Sequence, residues 1–248
     1  MTTPQYVYGV TRKGRALPDG VTGLDGKPVT LVADGECAAL VSDLPAGRAL
    51  GERADLEAHQ RVLNALVEAG TVVVPLRFGA AMAGPEAVRD ELLAANSDRF
   101  APMLDRLEGR VELRLRGTYV QETVLREIMT ADPEIAELSK RLREVPADAA
   151  DAVYYDRIRL GELIAGAMER LRENDAQALL EGAAPLAEAV LPRPPAREED
   201  VVDASFLVRT ERRAEFDAAV EELGRAHADR VRLRLVGPLP PYDFVPEA

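Results

Sequence analysis

Two eight-residue segments, RVELRLRG (Arg110 to Gly117) and RVRLRLVG (Arg230 to Gly237), alternate charged and apolar side chains. A period of two belongs to a strand and not to a helix, because successive Cβ atoms of a strand point to opposite faces. In the first segment Val111, Leu113 and Leu115 share one face while Glu112, Arg114 and Arg116 share the other; in the second, Val231, Leu233 and Leu235 form the apolar side. Each segment is therefore expected to lie with one face on a core and one toward solvent. Each also follows a helical pattern, itself preceded by a run of β-formers. Strand, helix and amphipathic strand, met twice in a chain of 248 residues, point to an α+β fold of two units.

Within the first unit, YVYGV (Tyr6 to Val10) is the opening strand. PVTLVADG and CAALVSDL, separated at Asp34-Gly35, read as a β-hairpin, since that dipeptide supplies the positive φ of a tight turn. Leu56, Leu63, Leu66 and Val67 recur at helical spacing between Ala54 and Ala69, and Gly70 is placed to end the helix. Thr71 to Phe78 reads as a strand. Pro85 suits the first turn of a further helix with Val88, Leu92, Ala95, Met103 and Leu107 as its stripe, which Pro102 is expected to kink or restart.

The second repeat begins with VVDASFLVRT (Val201 to Thr210) as a strand, Thr210 as N-cap, and Phe216, Val220 and Leu223 as a helical stripe. Between the repeats, Val124, Ile128, Ala131, Ile135, Leu138, Leu142 and Val145 follow a four-three spacing. Asp132-Pro133 interrupts it as a cap and a first-turn proline, giving two helices on a common seam. A longer helix then carries Ile158, Ile164, Ala165, Met168 and Leu171 inward, with Gly161 and Gly166 admitting a close neighbour. Leu191 to Asp200, LPRPPAREED, is expected as a proline-stiffened linker. The division expected is an N-terminal α+β domain over residues 1–118 and a C-terminal domain over 119–248. The latter comprises helices over 121–190, the linker over 191–200 and a strand–helix–strand unit over 201–248.

Composition excludes several classes of function. The net charge is −12, with the acids spread along the chain, which argues against nucleic acid and anionic membrane surfaces as partners. The longest apolar runs fall far short of the ~20 residues that span a bilayer. MTTPQYVYGV lacks the basic region and apolar stretch of a secretory signal, so a soluble cytoplasmic protein is expected. Cys37 is the single cysteine, which leaves no internal disulfide. No serine-nucleophile elbow, P-loop, zinc-protease histidine pair, paired CxxC or EF-hand loop occurs. GVTGLDG (Gly20 to Gly26) is glycine-rich but neither follows a strand nor opens a helix, and reads as a loop.

His59 and His227 are the only histidines, and both fall on helical seams, where a partly buried residue with one hydrogen bond is expected. One cysteine and two histidines make a zinc site hard to assemble. Glu198, Glu199 and Asp200 form a solvated charge run, not two carboxyls held in different environments for acid–base work. No catalytic residue, cofactor-binding residue, metal ligand or cofactor is therefore assigned. Arg114, Arg116, Arg232 and Arg234 could face an acidic partner, but cross-strand and helix-borne carboxylates neutralise such arginines equally well, and that is the simpler expectation.

Two segments are left over by these patterns. Along Thr71 to Phe78, Val72, Val74, Leu76 and Phe78 share one face, and Val73, Pro75 and Arg77 the other. Arg77 stands either to pair with an internal carboxylate or to present its guanidinium outside. Pro75 lacks an N–H, so the strand is an edge or locally irregular, and an edge is where another chain can add. The other segment, VGPLPPYDFV (Val236 to Val245), is stiffened by three prolines and carries Tyr242 and Phe244 in a chain only 4% aromatic. These two rings are expected to pack back as a lid on the C-terminal sheet, the alternative being a docking role.

Taken together, YVYGV, AHQRVLNAL around His59, VVVPLRFGA, YYDRIRLGELI, DASFLVRTERRAEFDAAVEELG and the terminal GPLPPYDFV, spread in this order over nearly the whole chain, resemble the F/L family of gas vesicle proteins. The resemblance implies a non-enzymatic accessory protein of gas vesicle assembly. Such a protein would contact the small, very hydrophobic vesicle shell protein, limit its aggregation, act with other gas vesicle accessory proteins, and in some cases remain as a minor vesicle component. The implied fold has an N-terminal α+β domain and a C-terminal domain combining helices with a ferredoxin-like sheet. Arg77 and Phe78 with Tyr242 and Phe244 are the expected partner-binding positions. The competing reading is a small-ligand-binding or enzymatic protein on ferredoxin-like domains, which would need convergent polar groups around Arg77. A third is a scaffold that self-associates through the helices from Val124 to Leu171.

Overall fold

The computed structural model describes residues 3–146 and 153–246. It is an α+β protein with two compact units, one made of Met1–Leu113, Leu207–Arg213 and Val236–Ala248, the other of Arg114–Phe206 and Ala214–Leu235.

The first unit is built on a sheet of order β2-β3-β1-β4, with β5 also paired to β1. β1 (Gln5–Arg12) runs antiparallel to β3 (Cys37–Asp43), which pairs in turn with β2 (Thr30–Asp34). β2 and β3 form the expected hairpin: Asp34 faces Cys37, and Gly35 takes φ 51° in the two-residue turn, where a side chain would be strained. The expected strand Thr71 to Phe78 shrinks to β4 (Val74–Pro75). Upstream, Val72 is held by its carbonyl, which accepts from the Thr11 hydroxyl at 2.6 Å. Downstream, Leu76 N–H donates to Tyr8 O and Val7 N–H donates to Ala80 O, so residues 77–79 loop out between β4 and β5 (Ala81–Met82) while both ends stay on β1.

α1 (Arg53–Glu68) starts with a capping box between Glu52 and Asp55. Its inward face is Asp55, Ala58, His59, Val62, Leu63 and Leu66, whereas Leu56, expected on the stripe, is 48% exposed. Counting apolar residues alone rotates the helix wrongly because Asp55 and His59 are buried polar groups. The next helical stretch opens at α2 (Pro85–Ala87), passes through a π-helical turn (Val88–Leu93) and a 3-10 turn (Ala94–Asn96), and becomes α3 (Ser97–Leu107). The wider turn shifts the stripe by one residue, roughly 100° of rotation. Leu93 and Leu104 are therefore buried where Leu92 and Met103 were expected, and Ala95 is exposed. The irregularity lies upstream of Pro102, which sits inside α3 without ending it.

In the second unit, α4 (Gln121–Ala131) and α5 (Pro133–Arg143) meet at Asp132, whose carboxylate accepts from the N–H groups of Glu134 and Ile135. α6 (Tyr154–Ala183) is as long as its sequence pattern implies, but Ile158 and Ala165 are exposed and burial is confined to Asp175, Leu179 and Ala183. Open space surrounds Gly161; the close neighbour comes at Gly182, where an added Cβ would lie 2.7 Å from Leu223 Cδ2. The sheet order is β7-β8-β6-β9. β6 (Arg110–Tyr119), β8 (Asp200–Arg209) and β9 (Val231–Leu239) are the expected strands. β7 (Ala189–Pro192) takes the first residues of the expected linker into the sheet, and Arg193 N–H donates to Asp203 O at 2.8 Å. Thr210 opens a 3-10 turn (Thr210–Arg212) and not α7 (Arg213–Ala226) itself.

The arginines of β6 are neutralised within the sheet: Arg114 donates to both Asp203 oxygens at 2.7 and 2.6 Å, and Arg116 lies 3.4 Å from the same carboxylate. A buried carboxylate, Asp175, accepts from the Tyr119 hydroxyl and from Arg230, each at 2.7 Å.

Candidate functional site

Residues two apart on a strand share a face, and β1 uses this to send Tyr6 and Tyr8 into the core of the first unit, both fully buried. α1 brings His59 against them, with its ring centroid 5.7 Å from each tyrosine ring. Phe78, in the middle of the loop between β4 and β5, completes the aromatic group at 6.0 Å from Tyr6 and 5.8 Å from His59. Tyr242 reaches the same group from the C-terminal segment.

Hydrogen bonds join these rings into a line. Tyr6 Oη lies 2.8 Å from His59 Nδ1, and His59 Nε2 lies 2.8 Å from Tyr242 Oη, which donates to Leu76 O at 3.4 Å. Gly79 N–H donates to Tyr6 Oη at 3.1 Å. One assignment pairs every proton: the Tyr6 hydroxyl donates to Nδ1, Nε2–H donates to Tyr242, and Tyr242 donates to the Leu76 carbonyl. Burial pushes His59 down to about 4, which keeps the ring neutral, and pushes Tyr6 up to about 12. Burial also raises Tyr242. The neutral ring and its two phenol partners tie α1, β1 and the C-terminal segment together. Tyr8 makes a separate tie, bonding Ser42 Oγ at 2.8 Å and accepting from Leu24 N–H at 2.8 Å. The glycine-rich GVTGLDG stretch is thus a loop packed on the core through buried Leu24.

Above this line of rings lies a groove of about 690 Å³. Its apolar lining includes Leu76, Phe78, Leu92, Phe100, Met103 and Tyr242. Leu92 of the π-helical turn and Met103 of α3, both turned off the core, supply the opposite side. Arg77 and Arg99, both exposed, belong to the same lining. The groove runs beside β4, the last strand on that side of the sheet. Since Leu76 bonds Tyr8, its neighbour Pro75 faces away from β1, and the outer edge there lacks a donor.

The structure therefore brings Arg77, Phe78 and Tyr242 together at one groove. Phe244 is 6% exposed and does not line it. The expected lid on the C-terminal sheet is realised differently: Tyr242 packs on the aromatic group of the first unit, while Asp243 N–H donates to Glu112 Oε2 of β6 at 3.2 Å. That bond helps explain why Glu112, expected on a solvated face, is 3% exposed. His59 was expected to make one hydrogen bond from a partly buried site and makes two from a buried one. Its signal in the sequence is that a histidine shares a helix face with Val62 and Leu66, which calls for polar partners from elsewhere. Among the described residues no group of three or more His, Cys, Asp or Glu side chains is placed to hold a metal ion, and no helix is long and apolar enough to cross a membrane.

The family described as gas vesicle synthesis protein GvpL/GvpF matches residues 4–246. Gas vesicle protein F of Streptomyces sp. (strain CB03234) is 35% identical over 97% of this chain and 98% of its own length. Gas vesicle protein L of the same strain is 30% identical over 97% of this chain and 92% of its own. The crystal structure of gas vesicle protein GvpF from Anabaena sp. PCC7120 superposes with a TM-score of 0.85 at 24% identity, covering 100% of both chains, and that from Microcystis aeruginosa with 0.78 at 23% identity, covering 99% of this chain and 100% of that one. At that identity the two structures speak for the fold.

Proposed function

The chain belongs to the GvpL/GvpF family of gas vesicle synthesis proteins, and from that premise we propose that it is a non-catalytic assembly factor that binds the hydrophobic vesicle shell protein in the groove beside β4 and limits its aggregation. The observation that carries this reading is the groove itself. An apolar trough of about 690 Å³ lined by Leu92, Phe100 and Met103 suits an apolar side-chain row of a partner, and exposed Arg99 suits a carboxylate beside that row. Addition of a partner strand to β4 is the weaker route, because β4 has two residues and Pro75 removes an outward donor. A net charge of −12 would keep a complex with an aggregation-prone subunit in solution. That both ring nitrogens of His59 are engaged by Tyr6 and Tyr242 favours this reading over an acid–base enzyme.

The test is co-expression of the shell protein with the wild-type chain or with Met103→Asp, scoring shell protein in the soluble fraction. Wild type should raise soluble shell protein and co-purify with it, whereas Met103→Asp should lose most of that effect while keeping its melting temperature within a few degrees. Equal shell solubility with and without the wild-type chain would reject direct binding. Stabilisation of the wild-type chain by phosphate or citrate, abolished by Arg99→Ala, would instead favour a small anionic ligand.

A further inference from the structure

The segment that forms one wall of the groove is a self-contained turn laid on apolar surface. Tyr242 N–H donates to Pro240 O, Phe244 N–H to Pro241 O and Val245 N–H to Tyr242 O, so much of its backbone bonding is internal and survives departure from the core. Prolines 240, 241 and 246 restrict its unbound conformations, which lowers the entropy gained or lost when it leaves or returns. Its ties to the rest of the unit include Tyr242 Oη on His59 and Leu76 and Asp243 N–H on Glu112. Half-buried Phe78 and Tyr242 both pack against the cluster that contains Tyr6, Val62 and Leu63. Lifting Tyr242 would release His59 Nε2 and Leu76 O and open the side of the groove that Tyr242 shares with Leu76 and Phe78.

We propose that Pro240–Pro246 is a strap that covers part of a longer apolar cleft, and that an apolar segment of the shell protein displaces it on binding. This rests on the shell-binding reading above for the identity of the displacing partner, but not for the strap itself. The groove of the isolated chain is then its partly closed form. Tyr242 acts as the latch, because its ring fills the cleft and its hydroxyl holds the buried Nε2 of His59. Phe244 is a second anchor on the same segment, buried independently of that hydrogen bond.

The strap can be tested on the full chain without shell protein, using 8-anilinonaphthalene-1-sulfonate as an apolar probe and hydrogen–deuterium exchange of the amides at 242–245. Tyr242→Phe and Phe244→Ala should each increase probe fluorescence several-fold. Tyr242→Phe should speed exchange at Asp243 by about tenfold, through loss of one anchoring hydrogen bond. Far-UV melting should show one cooperative transition in each variant, which separates strap release from unfolding. Unchanged fluorescence and exchange in both variants would make the segment a fixed wall, and reduced fluorescence would make it a completing part of the site; either result overturns the strap. In co-expression, the same variants should hold more shell protein in solution than wild type. Strap release with no gain in soluble shell protein would retain the latch and reject the shell protein as its displacing partner.

Discussion

The imidazole Nε2 of His59 lies 2.8 Å from the hydroxyl of Tyr242, 183 positions further along the chain. This single bond joins a helix that precedes the sheet edge to a segment that follows the last strand, and it does so beside the groove that Tyr242 lines. Much of what can be tested about the first unit follows from the neutral state of that ring.

The pH dependence has a defined sign. His59 is held at about 4 in the folded chain, against about 6.5 when unfolded, so unfolding takes up a proton below about 6.5. The stability contributed by the neutral ring is complete above that value and is lost as pH falls toward 4, up to roughly 3 kcal/mol. Urea denaturation at pH 7.0 and 4.5 should show a lower midpoint at 4.5, and His59→Gln should remove most of that difference. A drop of equal size in His59→Gln would assign it to other groups.

Phenylalanine truncation should separate core from groove. Phe206 is fully buried and packs on Phe216 with centroids 5.1 Å apart, so Phe206→Ala should cost about 3–5 kcal/mol. Phe78 is half-buried and borders the groove, so Phe78→Ala should cost about 1–2 kcal/mol, nearer the value of partial burial. Chemical denaturation of the two variants side by side checks the ranking, and a larger loss at Phe78 would return it to the core.

Two glycine-to-alanine changes should move stability in opposite directions. A Cβ on Gly117 would meet Leu233 Cδ2 and Val202 Cγ1 at 2.9 Å, so Gly117→Ala should destabilise by about 1–3 kcal/mol. A Cβ on Gly161 meets nothing within 4 Å in the middle of α6, so Gly161→Ala should stabilise by about 0.5–1 kcal/mol. Thermal melts of both variants suffice to compare them.

The Asp175 carboxylate is the keystone of the second unit's polar network. Asp175→Ala leaves the Tyr119 hydroxyl and the Arg230 guanidinium without their shared acceptor and should cost about 2–4 kcal/mol. Tyr119→Phe removes one bond and leaves Arg230 paired, so it should cost about 1 kcal/mol. Equal losses in denaturant titrations of the two variants would show that the Arg230 contact adds nothing.

Local chemistry made much of the fold legible. Asp34-Gly35 marked the hairpin, Asp132-Pro133 the break between α4 and α5, and strict alternation the strands β6 and β9. The site was legible only in pieces: Arg77, Phe78 and Tyr242 stood out as irregular or rare, and they do line one groove. What joins them was hidden, because the partners of His59 lie on β1 and on the C-terminal segment. No periodicity reports a contact across that separation. The π-helical turn hid the role of Leu92 and Met103 in a similar way, since one extra residue in a turn converts two core positions into groove lining. Leu56 misled for the opposite reason: Asp55 is paired with Arg48, which donates to both of its oxygens, and that pairing lets a carboxylate occupy the inward face in place of a leucine.

The distance in sequence between His59 and Tyr242 also sets an order of events at the ribosome. The sheet from β1 to β5 and the helix carrying His59 leave the exit tunnel long before the segment that supplies the second hydrogen-bond partner. Throughout the synthesis of the second unit the nascent chain holds His59 without the partner of its Nε2. A product cut short before Pro240 lacks Tyr242, and with it that bond and one wall of the groove, and should bind an apolar dye more strongly than the full chain.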